Sequence, residues 1–87
     1  MIGCEDEKLM QALKIVRLEY DKAVQKHPEF PAGAGAVCII AEELGELAKE
    51  INDRHKVPDW RDRAITEASH VAVTAIRTME MLKGKMP

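Results

Sequence analysis

Aromatic side chains are nearly missing from this 87-residue chain, which has one Phe, one Trp and one Tyr. Leu, Ile, Val, Met and Ala must therefore build the interior. Chains this short bury a modest share of their surface, and a core of small aliphatics lowers that share further. Self-association into a homodimer or homotetramer is the expected remedy. Cysteine is scarce too: Cys4 and Cys38 form neither a CxxC pair nor a disulfide framework, which excludes a stapled secreted scaffold and leaves free thiols. Cys38 lies on an apolar run and is expected in the core. No cationic excess exists either. A formal net charge of −2 gives no reason to expect binding along DNA or RNA, although a local basic cluster can still hold a nucleotide's phosphates. No apolar run reaches the length of a membrane span. The start MIGCEDEKLMQ lacks the cationic segment and long apolar run of a secretory signal. Neither a membrane partner nor export is expected, and the expected compartment is the cytoplasm.

What the chain does have is helical periodicity. From Glu5 to Lys26, Leu9, Leu13, Val16, Tyr20 and Val24 recur at spacings of three and four, the period of an amphipathic helix. Glu5, Asp6 and Glu7 suit its first turn, and His27-Pro28 ends it, because the residue before proline is steered away from α geometry. The loop HPEFPAGAGA breaks the pattern. A second helix is predicted from about Ala36 to Asn52, with Val37, Ile40, Leu44, Leu47, Ala48 and Ile51 as its stripe. After DRHKVP, Asp59 is placed to cap a third helix from Trp60 to about Lys83, stopped by Gly84. In ASHVAVTAI (Ala68 to Ile76) only His70 can carry charge. A helix apolar nearly all round needs cover on several sides, more than two short helices supply. The expected fold is therefore all-α: a single domain over residues 1–87, a three-helix protomer associating into a four-helix-bundle-like homo-oligomer.

AEELGELAKE (Ala41 to Glu50) sets Glu42, Glu43, Glu46 and Glu50 on one helix. Side chains three or four positions apart are neighbours, so Glu43 and Glu46 present oxygens side by side. A solvated acidic face softened by Lys49 accounts for this segment taken alone. The next helix changes the weighting, since Glu67 and His70 repeat the i,i+3 spacing. Packed antiparallel, as a short connection favours, the two helices bring Glu43 and Glu46 opposite Glu67 and His70. A divalent cation would neutralise that cluster, and oxygen ligands suit Mg²⁺ or Mn²⁺.

EELGE (Glu42 to Glu46), followed after twenty intervening residues by EASH (Glu67 to His70), resembles the EExxE…ExxD signature of the MazG-like, all-α nucleoside triphosphate pyrophosphohydrolases. The resemblance runs from about His27 to Leu82. It implies hydrolysis of a nucleoside triphosphate between the α and β phosphates, giving a monophosphate and pyrophosphate. By position it implies Glu43, Glu46 and Glu67 as Mg²⁺ ligands, with Glu42 beside them, making these four glutamates the catalytic set. His70 stands where the motif has Asp. Three outcomes follow from that departure: a ligand better suited to Mn²⁺ or another transition metal, a hydrogen-bonding partner of Glu67 or a metal water, or lost activity.

The resemblance also implies a base near the loop ahead of the second helix. There Phe30 can stack on a ring or plug the helix pair, and Gly33-Ala34-Gly35 allow close approach. Trp60 is a second such candidate, with a packing anchor as its alternative. One or two of Lys49, Lys56 and Arg61 are expected to meet phosphate, with surface solubility as the alternative for these cations; Arg54, His55 and Arg63 lie near them in sequence. No GK[ST] follows the glycines, so they are not a P-loop. Two further readings remain. One is a catalytically impaired nucleotide-binding or interaction module. The other is a di-iron carboxylate protein, because Glu67-x-x-His70 matches the Glu-x-x-His element of those bundles.

Overall fold

Each apolar repeat folds as a helix. The computed structural model describes residues 4–84, apart from the side chains of Cys4 and Glu5. Helix α1 spans Cys4–Lys26, α2 spans Ala34–Asn52 and α3 spans Trp60–Gly84. The described residues contain no strand, and the fold is all-α. α1 ends where His27-Pro28 begins, as proline sterics require. α2 starts two residues ahead of the expected Ala36, because Gly33 precedes it at φ 61° and ψ −128°. That backbone region is closed to residues with a Cβ. Gly35 serves packing instead: a Cβ there would lie 3.0 Å from the Pro31 side chain.

α3 is the axis of the molecule, packing against both other helices, whereas α1 and α2 are not packed on each other. Paired residues fix the directions. Glu50 meets Arg63, and Glu43 meets His70 further along, so α2 runs antiparallel to α3. Glu19 meets His70, and the Ala23 carbonyl meets Arg77, so α1 runs parallel to it. The α2–α3 corner is held by a two-pronged bridge, with Arg63 Nε and Nη2 donating to the Glu50 oxygens at 2.9 and 3.2 Å. Tyr20 ties α1 to α3 by donating to the Glu80 carboxylate.

The interior is made of small side chains. Ala36, Ala64 and Val73 are its buried apolar residues, joined by Ser69, Thr74 and Arg77 of α3. The two hydroxyls are satisfied within α3, where Ser69 donates to the Thr66 carbonyl and Thr74 to that of Val71. Such residues let helices approach closely but remove little apolar area from water. Leu9, Leu13, Val37, Leu44, Ile51, Ile65, Met79 and Leu82 all stay exposed. Cys38, expected in the core, is exposed, as is its neighbour Val37, while Ala36 just before them takes the buried side of α2.

The chain exposes 6816 Å², against about 5,100 Å² for a compact monomer of its mass. Its radius of gyration is 14.6 Å, where a compact domain of this length has about 12 Å. The helices also leave large apolar side chains uncovered. No helix among the described residues is long and apolar enough to cross a membrane.

Replacing Gly33 tests the α2 entry. Gly33→Ala is expected to destabilise the protein by about 1–3 kcal/mol in urea unfolding followed by circular dichroism, with native helicity retained in buffer. An unchanged midpoint would show that the φ of 61° is not required.

Candidate metal centre

The three helices each send one carboxylate toward the same imidazole. Glu67 and His70 lie one turn apart on α3, Glu43 faces them from α2, and Glu19 reaches in from α1. His70 Nδ1 is 3.5 Å from Glu43 Oε2 and 3.6 Å from Glu67 Oε2. The other ring nitrogen, Nε2, is 3.0 Å from Glu19 Oε1. A carboxylate only accepts, so this contact places a proton on Nε2. Glu43 Oε2 and Glu67 Oε2 are sealed from solvent and have no hydrogen-bond partner. Buried oxygens in that condition are rare and call for an explanation.

Electrostatics sharpens the picture. Burial pushes the Glu43 carboxyl above its ordinary value, and the charges of Glu46 and Glu42 add to the rise while His70 opposes it. The Glu67 carboxyl is raised by burial, then by its hydrogen bond to Glu46 and that group's charge. For Glu19, burial acts upward, but hydrogen bonds from His70 and Lys22 outweigh it and the net shift is down. Two of the three carboxylates therefore resist carrying their charge here, and the third keeps it.

Of the residues expected to bind metal, Glu43, Glu67 and His70 gather with their ligand atoms within 4.8 Å of one another. Glu46 is exposed and acts on Glu67 by helping to raise its carboxyl. Glu42 is exposed and acts on the cluster through its charge. Glu50 is engaged by Arg63.

A cleft of about 550 Å³ opens beside the cluster, within the range of small-molecule sites. α1 lines it with Glu19, Lys22, Ala23 and Lys26, and α2 with Ile39 and Glu43. The floor is His70, Val73, Thr74 and Arg77 of α3, and His27, Glu29, Phe30 and Pro31 close one end. Phe30 is thus the expected substrate contact that does line it. Lys49, Lys56, Trp60 and Arg61 do not. Lys56 pairs with Asp53 at 3.8 Å, Arg61 covers the Trp60 ring at 4.7 Å, and Lys49 is exposed on α2.

The cations that line the cleft are ones that motif reading passes over. Arg77 is only 8 % exposed. Its Nη2 donates to the His27 carbonyl at 2.7 Å and Nη1 to Ala23 at 3.5 Å, and it lies 5.0 Å from the Phe30 ring. Its charge thereby meets the negative end of the α1 dipole. Lys22 and Glu19 form an i,i+3 pair at 3.2 Å, a spacing readable in sequence as ordinary helix-surface pairing.

The donor set fits a divalent ion. Atoms sharing one ion at about 2.1 Å stand about 3–3.5 Å apart, close to the separations from Nδ1 to the two glutamate oxygens. An ion between them would also supply the partner that both orphaned oxygens lack. No protein-family model, curated protein or solved structure matches the chain.

The raised carboxyls have a measurable cost. Their contribution to stability is present below the unfolded-state value and is lost as pH rises through the higher folded-state values. At neutral pH, with chelator present, the folded state is therefore penalised. Glu67→Gln and Glu43→Gln are each expected to raise the melting temperature at pH 7 in EDTA, with the gain shrinking toward pH 4. Lower melting temperatures at neutral pH would contradict this charge balance.

Proposed function

We propose that this chain is a metal-dependent nucleoside triphosphate pyrophosphohydrolase of the MazG-like type. The observation that carries the reading is the meeting, beside a cleft of about 550 Å³, of two sealed, unpartnered carboxylate oxygens from the two halves of the motif. Glu43, Glu67 and His70 would hold a divalent cation, Mg²⁺ or Mn²⁺. Such an ion, when bound, offsets charge on phosphate oxygens and acidifies a water.

The chain's own residues supply the rest. Glu46, exposed and acting on Glu67 through its charge, accepts the proton of the attacking water. The water oxygen bonds to phosphorus as the bridge between the α and β phosphates breaks, yielding a nucleoside monophosphate and pyrophosphate. Lys22 and Lys26 on the α1 wall meet phosphate oxygens. Phe30 offers a ring for a base, with Arg77 fixing its place. Glu42 acts through its charge on Glu43.

A second reading has one observation in its favour. His70 contacts Glu19, Glu43 and Glu67 together, so the ring can serve as a polar tie between the three helices with no metal at all. The chain would then be a nucleotide-binding module without turnover.

The same proposal includes a homo-oligomer. The exposed surface exceeds that of a compact monomer by roughly 1,700 Å² per chain, and twice that falls in the range of obligate homodimer interfaces. Val37, Leu44 and Ile51, exposed by 63 %, 55 % and 41 %, repeat at seven-residue steps along α2, the spacing of a helix-pairing seam.

Pyrophosphate release from a panel of ribo- and deoxyribonucleoside triphosphates with Mg²⁺ or Mn²⁺ tests the activity. Glu43→Ala and Glu46→Ala are expected to abolish release while circular dichroism stays native. Nucleotide binding with no release under any ion would favour the silent module, and variants as active as the parent would remove the metal site. Light scattering is expected to give a multiple of the 9.7 kDa chain mass, reduced by Leu44→Glu. A monomeric parent would defeat the assembly.

A further inference from the structure

We infer that Glu19 is the positioning residue of a mixed nitrogen–oxygen metal site: it holds His70 so that Nδ1 joins Glu43 and Glu67, and the site thereby prefers a transition-metal dication to Mg²⁺. The inference rests on the metal reading above and adds which ion is selected and which residue, outside the motif, selects it.

Geometry supplies the argument. An imidazole has two nitrogens, and which one faces a metal is set by the hydrogen bond the other makes. Here Nε2 is engaged by Glu19 Oε1 at 3.0 Å, a carboxylate 51 residues away on another helix. Nδ1 is left facing the two sealed glutamate oxygens at 3.5 and 3.6 Å. A carboxylate behind a histidine, with that histidine's second nitrogen among further ligand atoms, is the outer-shell arrangement that orients a ring and raises its basicity. Lys22 Nζ, 3.2 Å from Glu19 Oε2, steadies the carboxylate from its other oxygen.

Selectivity follows from the donor types. Mg²⁺ holds its waters tightly and takes oxygen ligands, whereas imidazole suits Mn²⁺, Co²⁺ and Zn²⁺ increasingly well. With aspartate in place of His70 the site would be all oxygen. With the ring fixed by Glu19 it is not.

Two measurements on the full chain test this. Calorimetric titration with Mn²⁺, Co²⁺ and Mg²⁺ is expected to show the transition metals bound more tightly, with His70→Asp shrinking the Co²⁺-to-Mg²⁺ ratio by roughly tenfold or more. Glu19→Ala is expected to weaken Co²⁺ by roughly 10–100-fold and leave Mg²⁺ nearly unchanged. Glu19→Gln, whose amide oxygen still accepts from Nε2–H, is expected to recover most of that loss. Long-range ¹H–¹⁵N correlations locate the ion, with Zn²⁺ expected to move the His70 Nδ1 signal and leave the Nε2 proton in place.

A His70 ring unmoved at Zn²⁺ saturation, or equal ion preference in the parent and His70→Asp, would overturn the inference while leaving a carboxylate metal site standing. Absence of binding by every dication would overturn both. A merely structural Glu19 would lower the affinities for Mg²⁺ and Co²⁺ alike, which also counts against it.

Discussion

Three carboxylates from three helices surround one imidazole, and the arrangement of the whole chain is organised by that crowding. Like charges brought this close oppose folding unless something offsets them. α3 supplies the ring, α1 holds its far nitrogen, and α2 and α3 present oxygens to the near one. Because α1 and α2 are not packed on each other, His70 is also a place where those two outer helices are joined through the third. The same side chain is thus both a tie between helices and a member of the candidate metal cluster. A fold that leaves two carboxylate oxygens sealed and unpartnered gives up stability at a point where binding can recover it.

The small core has the same character. Ala36, Ala64 and Val73 allow close helix approach, but they cannot supply the burial that three long helices need. The apolar rows on α1 and α2 are long and regular, yet much of each lies outside the interior. Repetition along a helix tells which face is apolar. It does not tell whether that face meets its own chain or another, and Cys38 shows the ambiguity in one residue.

Much of this was legible in the sequence because it is local. Helix limits follow from proline sterics and from periodicity, and the i,i+3 spacing of Glu67 and His70 fixes their shared face before any tertiary contact is known. The start of α2 lies two residues ahead of the expected Ala36, because a glycine backbone angle has no side-chain signature. The site was half legible. Glu43, Glu67 and His70 come from one sequence motif, whereas Glu19 and Arg77 belong to helix faces whose meeting depends on how α1 lies along α3. Arg77 followed directly on the apolar stretch of α3 and still gave no sign that its partners would be carbonyls at the end of α1. Lys49, Lys56, Trp60 and Arg61 were near the α2–α3 connection in sequence, and the cleft opens elsewhere.

The cleft lies between α1 and α2. Its width is set from below, by the side chains of α3, with no direct packing between the two walls to hold it. An occupant touching both walls would act as a keystone, adding cohesion that the polypeptide by itself does not provide. Heat resistance of this protein should then report occupancy directly, before any product is looked for.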